Sequence, residues 1–589
     1  MKKRIRTIAA FLLSAAMAAS MSLTAFATST PGTGTVTVIT GSETADVTVG
    51  VAGSDSTTAN AGDTLYAYKV IDAVYSPASN SLTYAFTEKF RTFQASAAGS
   101  AYASLTVDGY IALGSDSTAL KSLLGAFTAY VKVKTNNVTA DKSVVTDANG
   151  TGTFKDLAMG QYIIVGGGTS TGAKIYQTVT AEVIPTVADG VYKLATTDTV
   201  SMKTTKPTAE KKIDKGTTQD TAGNETANIG DTITYTISGT VPTYPEGSTN
   251  TTYYQKDTLS AGLTLSSASD AIDVEGIAAD GTTKQKLTIG TDYTITISGQ
   301  NLYIDYVYDR IKTYAKVSAT YSAILNENAK VGTKDGNPNT YDLIWSNSPF
   351  DGTTGTPTDH KTGQGYGSDE KKKTVYTYAL IIDKYDEKTT AKLANAEFDV
   401  KDSNGKVLGH IVTDGNGTAC YTGLKQGTYY LHETKAPAGY KLLADDVIIT
   451  IDSTSTAFAS ATTTTTTTYT TDKEKAIIPT QAINDAGFPL WIKEGGTVTV
   501  ASAAIPTDGN YLPAYVLTRK TTVTTSGDSG KGSAADGYYK TSIANAPGSS
   551  LPTTGGMGTV LFTVIGLILM IGAAVVLATK KRMQNKGNL

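Results

Sequence analysis

Asp414-Gly415-Asn416-Gly417-Thr418-Ala419-Cys420-Tyr421 continues through Leu424 to Gly427-Thr428-Tyr429-Tyr430-Leu431. An earlier stretch, Asp147-Ala148-Asn149-Gly150-Thr151-Gly152-Thr153-Phe154, continues through Leu157 to Gly160-Gln161-Tyr162-Ile163-Ile164 in the same way. The shared D-x-N-G-T-x-x-[FY]-x-x-L-x-x-G-x-Y reads as turn, strand, turn, strand, because Asx-Gly pairs accept turn geometry and the following β-branched and aromatic residues suit a pleated surface. Two related β units therefore sit early and late in the chain. Between them, Ile229 to Ser238 alternates apolar and polar residues. Leu287 to Ile289, Tyr293 to Ile297, Leu302 to Tyr306 and Ala315 to Tyr321 repeat the alternation at short intervals. Period-two strands separated by turns predict an all-β chain of tandem, immunoglobulin-like β-sandwich domains.

The two ends read differently. Lys2, Lys3, Arg4 and Arg6 precede the apolar run Ile8 to Met21, and Ala25-Phe26-Ala27 places small residues before a cut after Ala27. This is the pattern of a secretory signal peptide. At the other end, 559–579 carries no charge, reaches roughly 31 Å as a helix and precedes Lys580, Lys581 and Arg582. The basic cluster keeps the short tail inside and everything before Leu551 outside. The expected division is 1–27 signal peptide, 28–202 first β domain, 203–368 middle sandwich, 369–550 last sandwich with an insertion at about 452–540, and 551–589 as the terminal anchor.

A net charge of −3 with 17% charged residues offers no basic surface for nucleic acid. Cys420 is the only cysteine, so no intramolecular disulfide forms despite the extracellular address, and it reads as a small core residue. His360, His410 and His432 are scattered without metal-ligand spacing, so neither metal nor cofactor is expected. Thr462 to Thr468 is low-complexity and reads as an exposed strand extension or loop.

Leu551-Pro552-Thr553-Thr554-Gly555 resembles the LPxTG sorting signal of Gram-positive cell-wall proteins. The resemblance implies that a membrane transpeptidase, a sortase, cuts between Thr554 and Gly555 and passes the acyl group to an amine. Tyr429-Tyr-Leu-His-Glu433-Thr-Lys-Ala-Pro-Ala-Gly439-Tyr440 resembles the E-box of collagen-adhesin B-type domains. Leu380-Ile-Ile-Asp-Lys384 with Leu393 to Phe398 resembles that domain's first strands, and Ile543-Ala-Asn545 its last. That family forms an intramolecular isopeptide bond, which implies Lys384 as nucleophile, Asn545 as acceptor and Glu433 as proton shuttle. Asn484 is an alternative acceptor, because the gap from Glu433 to Asn545 is long. The residue types suit the chemistry. A buried lysine loses solvation and becomes a neutral amine, and a buried carboxyl favours its protonated form. Packing then supplies proximity.

The middle region resembles the A-type counterpart in major pilins. Pro207-Thr-Ala-Glu-Lys211-Lys212-Ile213 resembles its first strand, Lys256-Asp257-Thr-Leu-Ser its acid motif and Leu343-Ile-Trp-Ser-Asn347 its last strand. Alternation puts Ala209, Lys211 and Ile213 on one face, which favours Lys211 over Lys212 as the buried amine. The implied set is Lys211 with Asn347, assisted by Asp257. In the first domain the echo aligns Gly166 with Glu433, so no such bond is expected there and packing alone would hold it.

Polymerisation in the pilin family uses an exposed lysine on the last strand of the first domain. Thr199-Val-Ser-Met-Lys203-Thr-Thr-Lys206-Pro207 lacks the family's Tyr-Pro before the lysine and offers Lys203 first and Lys206 second. The resemblance implies a structural backbone subunit of a covalently polymerised, wall-anchored pilus involved in adhesion, not an enzyme. Its implied partners are a class C-type pilin sortase, a housekeeping sortase, other copies of itself, minor pilins, peptidoglycan and a host matrix or glycan ligand. The alternatives are a monomeric wall-anchored adhesin or a minor pilin at the tip or base.

Overall fold

The computed structural model describes residues 36–52, 62–113, 117–167, 174–350, 360, 362, 365–451, 462–476, 481–484, 488–524, 538–548 and 557–584. The signal-peptide segment and Leu551 to Gly555 lie outside them. The fold is all-β in its framework, with three domains in series and one long C-terminal helix.

The first domain is built on β1 (Thr44–Ala52), β2 (Thr64–Ser76), β3 (Thr151–Ala158), β4 (Gly160–Gly167), β5 (Ile175–Tyr176), β6 (Val179–Val183) and β7 (Thr197–Thr205). One sheet has the order β3-β1-β7-β5, and a second contains β2-β4-β6. Beside its sheets it also carries α1 (Glu88–Ala95), α2 (Val107–Ile111) and α3 (Thr118–Lys132). Ser117 caps α3 by accepting from the Leu120 N–H at 3.0 Å. Leu120, Leu123, Leu124, Phe127 and Val131 then fall on one helical stripe and are buried. They cover the second face of the β2–β4 sheet, together with Phe90 and Phe93. All eight positions of β4 are consequently buried, since the sheet has a core on each side.

The middle domain comprises β8 (Ala209–Lys215), β9 (Thr232–Thr240), β10 (Tyr253–Leu259), β11 (Asn301–Tyr306), β12 (Lys316–Leu325), β13 (Asn337–Ser346) and β14 (Tyr366–Tyr376). One sheet contains β8-β9-β12 and the facing sheet β14-β13-β10-β11. Their inner faces share a core that includes Trp345, Tyr235, Tyr253 and Tyr341. The last domain comprises β15 (Tyr378–Asp386), β16 (Glu397–Lys401), β17 (Thr418–Leu424), β18 (Gly427–Lys435) and β19 (Val447–Ile451), closed after the insertion by β23 (Tyr538–Asn545). Its sheets are β17-β15-β23 and one containing β16-β18-β19. The insertion holds β20 (Thr462–Thr470), β21 (Leu490–Lys493) and β22 (Tyr515–Thr524), and the threonine run of β20 pairs antiparallel with β22.

The strand ends mark the junctions between the three units. β7 continues to Thr205, so the first junction is Lys206 to Thr208. β14 pairs with β13 as far as Val375, so the middle domain extends past residue 368. One residue, Thr377, separates β14 from β15. This second junction is further fixed by Tyr378 Oη donating to Asp220 Oδ2 at 2.6 Å and by the Lys425 N–H donating to Asn228 Oδ1 at 2.8 Å. At the first junction, Gln177 Nε2 donates to the Thr243 carbonyl at 3.0 Å, and α3 presses Gly125 against the Glu246 loop. A Cβ at Gly125 would stand 1.9 Å from the Glu246 carbonyl oxygen. Gly125→Val should therefore undock the first domain, seen as faster protease cleavage between Thr205 and Thr208 with the other two domains melting as before. Equal cleavage rates would show that the contact contributes nothing.

The terminal helix α4 (Met557–Gln584) contains an 18-residue window, Val564–Lys581, of mean hydropathy 2.0 that is long and apolar enough to cross a membrane.

Candidate functional site

Lys384 lies on β15, and its side chain is fully buried because β15 is the central strand of its sheet. β23 runs parallel beside it, with Lys384 opposite Ile543 and Asp386 opposite Asn545. This register brings the Asn545 side chain onto Lys384, and Lys384 Nζ contacts Asn545 Oδ1 directly. Glu433, on β18 of the facing sheet, completes the group. Asn545 Nδ2 donates to Glu433 Oε1 and Oε2 at 3.1 and 3.0 Å and to the Lys441 carbonyl at 2.8 Å. Glu433 Oε1 is 3.4 Å from Lys384 Nζ, and the Leu443 N–H fixes Oε2 at 2.8 Å. Lys384 Nζ sits 5.4 Å from the centre of the Phe398 ring. Burial pulls the lysine below its usual range, against the opposing charge of Glu433. A carboxyl touching both the attacking nitrogen and the nitrogen that must leave can move a proton from one to the other. Asn484 plays no part here; its backbone N–H and Oδ1 bond within its own loop, to Phe488.

In the middle domain, Lys211 points inward from β8 and Lys212 outward, as alternation requires. Lys211 Nζ lies 2.5 Å from Asp257 Oδ1, and both side chains are fully buried. Tyr321 Oη accepts from Lys211 Nζ at 3.1 Å and from Asn339 Nδ2 at 2.9 Å, and donates to Asp257 Oδ2. Burial lowers the lysine here too, against the pull of Asp257. The Lys211 ammonium also faces the rings of Tyr235 and Tyr321, at 5.1 and 5.7 Å.

The amide brought to this cluster is Asn339, not the expected Asn347. Asn339 is fully buried, and its Oδ1 has no hydrogen-bond partner among the described residues. Asn347 lies beyond the end of β13, half-buried, with its N–H on the Gly365 carbonyl at 3.0 Å. Eight residues of strand place it roughly 26 Å from Asn339. Both asparagines have the same parity, so alternation cannot separate them. Register does: Asp257 pairs with Tyr341 and Leu259 with Asn339, which makes Asn339 the diagonal neighbour of the acid.

The first domain repeats the last domain's frame without its reactive groups. The Val51 N–H donates to the Gly150 carbonyl just as the Lys384 N–H donates to the Gly417 carbonyl. Val51 pairs in parallel with Met202, as Lys384 does with Ile543. The positions of Lys384, Glu433 and Asn545 are thus held by Val51, Gly166 and Thr204.

The remaining candidates have simpler surroundings. Lys203 is exposed on β7, opposite Ala52, and Lys206 is exposed in the first junction. His410 Nδ1 and His432 Nδ1 lie 3.0 and 2.6 Å from Asp399 and Asp446 respectively. His360 stacks on Tyr303 at 3.8 Å beside Asp305. Burial pushes the Cys420 thiol up to about 12, which leaves it unreactive.

Comparison with known proteins agrees with this architecture. Residues 229–349 match the Gram-positive pilin backbone subunit 2, Cna-B-like domain, 379–467 match the SpaA prealbumin-like fold domain, and 545–585 match the LPXTG cell wall anchor motif. The trypsin-resistant surface T6 protein of Streptococcus pyogenes serotype M6 is 31% identical over 389 residues, covering 64% of this chain and 70% of that protein. The solved structure of the T6 backbone pilin of serotype M6 Streptococcus pyogenes, with its modular three-domain structure, superposes with a TM-score of 0.61 at 24% identity, covering 86% of this chain and 99% of that one. The signal-bearing C-terminus, the serial β domains and this relationship make the chain a member of the Gram-positive backbone pilins, anchored at the cell wall.

Proposed function

We propose that this backbone pilin is polymerised covalently, that sortase joins Thr554 of one subunit to Lys203 of the next, and that Lys384–Asn545 and Lys211–Asn339 isopeptide bonds staple the last and middle domains. The observation that carries the reading is the fully buried Lys384, Glu433 and Asn545 cluster, with the leaving nitrogen held by the carboxyl that faces the amine. In each bond the lysine nitrogen attacks the carboxamide carbon, the acid passes a proton to the departing nitrogen, and ammonia leaves. Each reaction occurs once per molecule, so the chain is a structural subunit and not a turnover enzyme.

Lys203 is favoured over Lys206 because it is held on a paired strand, whereas Lys206 lies past the strand end. A pilin-type sortase would build the polymer and a housekeeping sortase transfer it to peptidoglycan, with minor pilins at its ends and a host matrix or glycan as adhesion target. The relative's printed name, trypsin-resistant, fits a subunit closed by internal bonds.

Boiling cell-wall extracts in SDS tests the polymer. A ladder of heat-stable multimers is expected, collapsing to a single band in Lys203→Ala. Collapse in Lys206→Ala alone would transfer the role to Lys206, and a single band in the wild type would refute polymerisation.

A further inference from the structure

The first domain, which lacks the last domain's reactive set, contains a different buried group near the same place. Gly166, where the last domain has Glu433, leaves room for the Tyr176 ring: a Cβ there would come within 2.4 Å of it. Tyr176 pairs with Thr204, the counterpart of Asn545. Beside it, Lys174 Nζ lies 2.9 Å from Asp63 Oδ2, with the Asp63 side chain fully buried and Lys174 only 20% exposed. The Asp63 backbone is fixed on Thr146, donating its N–H to Thr146 Oγ1 at 2.9 Å and accepting from the Thr146 N–H at 2.9 Å.

We propose that Lys174 and Asp63 condense into an intramolecular amide, a covalent staple in the one domain where none was expected. As an ion pair the group is incomplete. Asp63 Oδ1 and Tyr176 Oη are both buried, and neither has a hydrogen-bond partner among the described residues. Burial, and then the Asp63 carboxylate close by, push the Tyr176 phenol upward, so the hydroxyl stays protonated and available as a donor. A buried ion pair carries a desolvation cost that a neutral amide does not. After condensation the remaining Asp63 oxygen is a carbonyl that can still accept from Tyr176 Oη.

The step balances without any added reagent. Proton transfer within the pair gives a neutral amine and a carboxylic acid. The Lys174 nitrogen attacks Asp63 Cγ, the C–OH bond breaks, and the hydroxyl leaves with the second amine proton as water. The middle domain has the same lysine, aspartate and tyrosine with an asparagine added, and there ammonia would leave. Among the described residues no asparagine side chain belongs to the group, so the aspartate is itself the acceptor.

The test is peptide mass spectrometry on the intact recombinant ectodomain. The peptides carrying Asp63 and Lys174 should be recovered joined, lighter by one water, with trypsin failing to cut after Lys174. Asp63→Asn should give a linked product of identical mass by losing ammonia, whereas Asp63→Ala and Lys174→Arg should give none, with circular dichroism confirming that each variant folds. Recovery of both wild-type peptides unjoined at full mass would overturn the proposal. The Lys384 and Lys211 peptides are read separately in the same digest, so either result leaves the bonds of the other two domains independently tested.

Discussion

Glu433→Ala should leave the ectodomain one ammonia heavier than wild type and lower the melting temperature of its last domain by roughly 10–20 °C. The proposed bond between Lys384 and Asn545 would close a loop of 161 residues. By the loop-entropy relation derived for disulfides, a tie of that span contributes about 5 kcal/mol. At about 2–4 °C per kcal/mol for a domain of this size, that gives the stated range. Without Glu433 nothing carries the proton from Lys384 to the departing nitrogen, and Asn545 Nδ2 loses its two contacts to that carboxyl.

Asn545→Ala should also lose the bond, but it leaves a free buried amine with a different signature. Burial holds the Lys384 pKa below 10.5, so the folded state binds fewer protons than the unfolded state between the two values. The variant's stability should therefore rise as pH increases through that window. An unchanged mass in Glu433→Ala, or a flat pH profile in Asn545→Ala, would contradict this account. Calorimetry and intact mass read both.

The second large effect separates two asparagines eight residues apart. Asn339→Ala should abolish the other ammonia loss, and Asn347→Ala should leave it intact. Asp257→Ala should match Asn339→Ala, since it removes the carboxyl hydrogen-bonded to both Lys211 and Tyr321. The loop closed from Lys211 to Asn339 is again more than a hundred residues, so a loss of about 5 kcal/mol is expected for either variant. Retention of the ammonia loss in Asn339→Ala would return the acceptor role to another residue.

The meeting of Lys384, Glu433 and Asn545 was legible in the sequence, because the E-box is a contiguous motif and its partners lie on the first and last strands whatever the insertion between them. Lys211 followed from alternation alone. Asn339 did not, because period two assigns a face but not a position along the strand, and the position is set by pairing with β10. The helices of the first domain were legible in principle: Ser117 followed by Leu120, Leu123, Leu124 and Phe127 is a capped amphipathic stripe. A threonine- and glycine-rich composition pointed to strands and obscured it. Asp63 gave no signal together with Lys174 and Tyr176, since it precedes them by more than a hundred residues and meets them only through the fold.

The parallel pairing of β15 with β23 decides how the last domain bears tension. Load from the neighbouring domain enters at the start of β15, one residue past Tyr376, and load from the wall enters at the end of β23. Two parallel strands pulled from these opposite ends are sheared, so the ladder from Ala379–Tyr538 to Asp386–Asn545 resists as a whole and does not unzip pair by pair. Lys384 and Asn545 lie at the wall-side end of that ladder, so the proposed bond between them would pass load from β23 directly into β15 and spare the ladder.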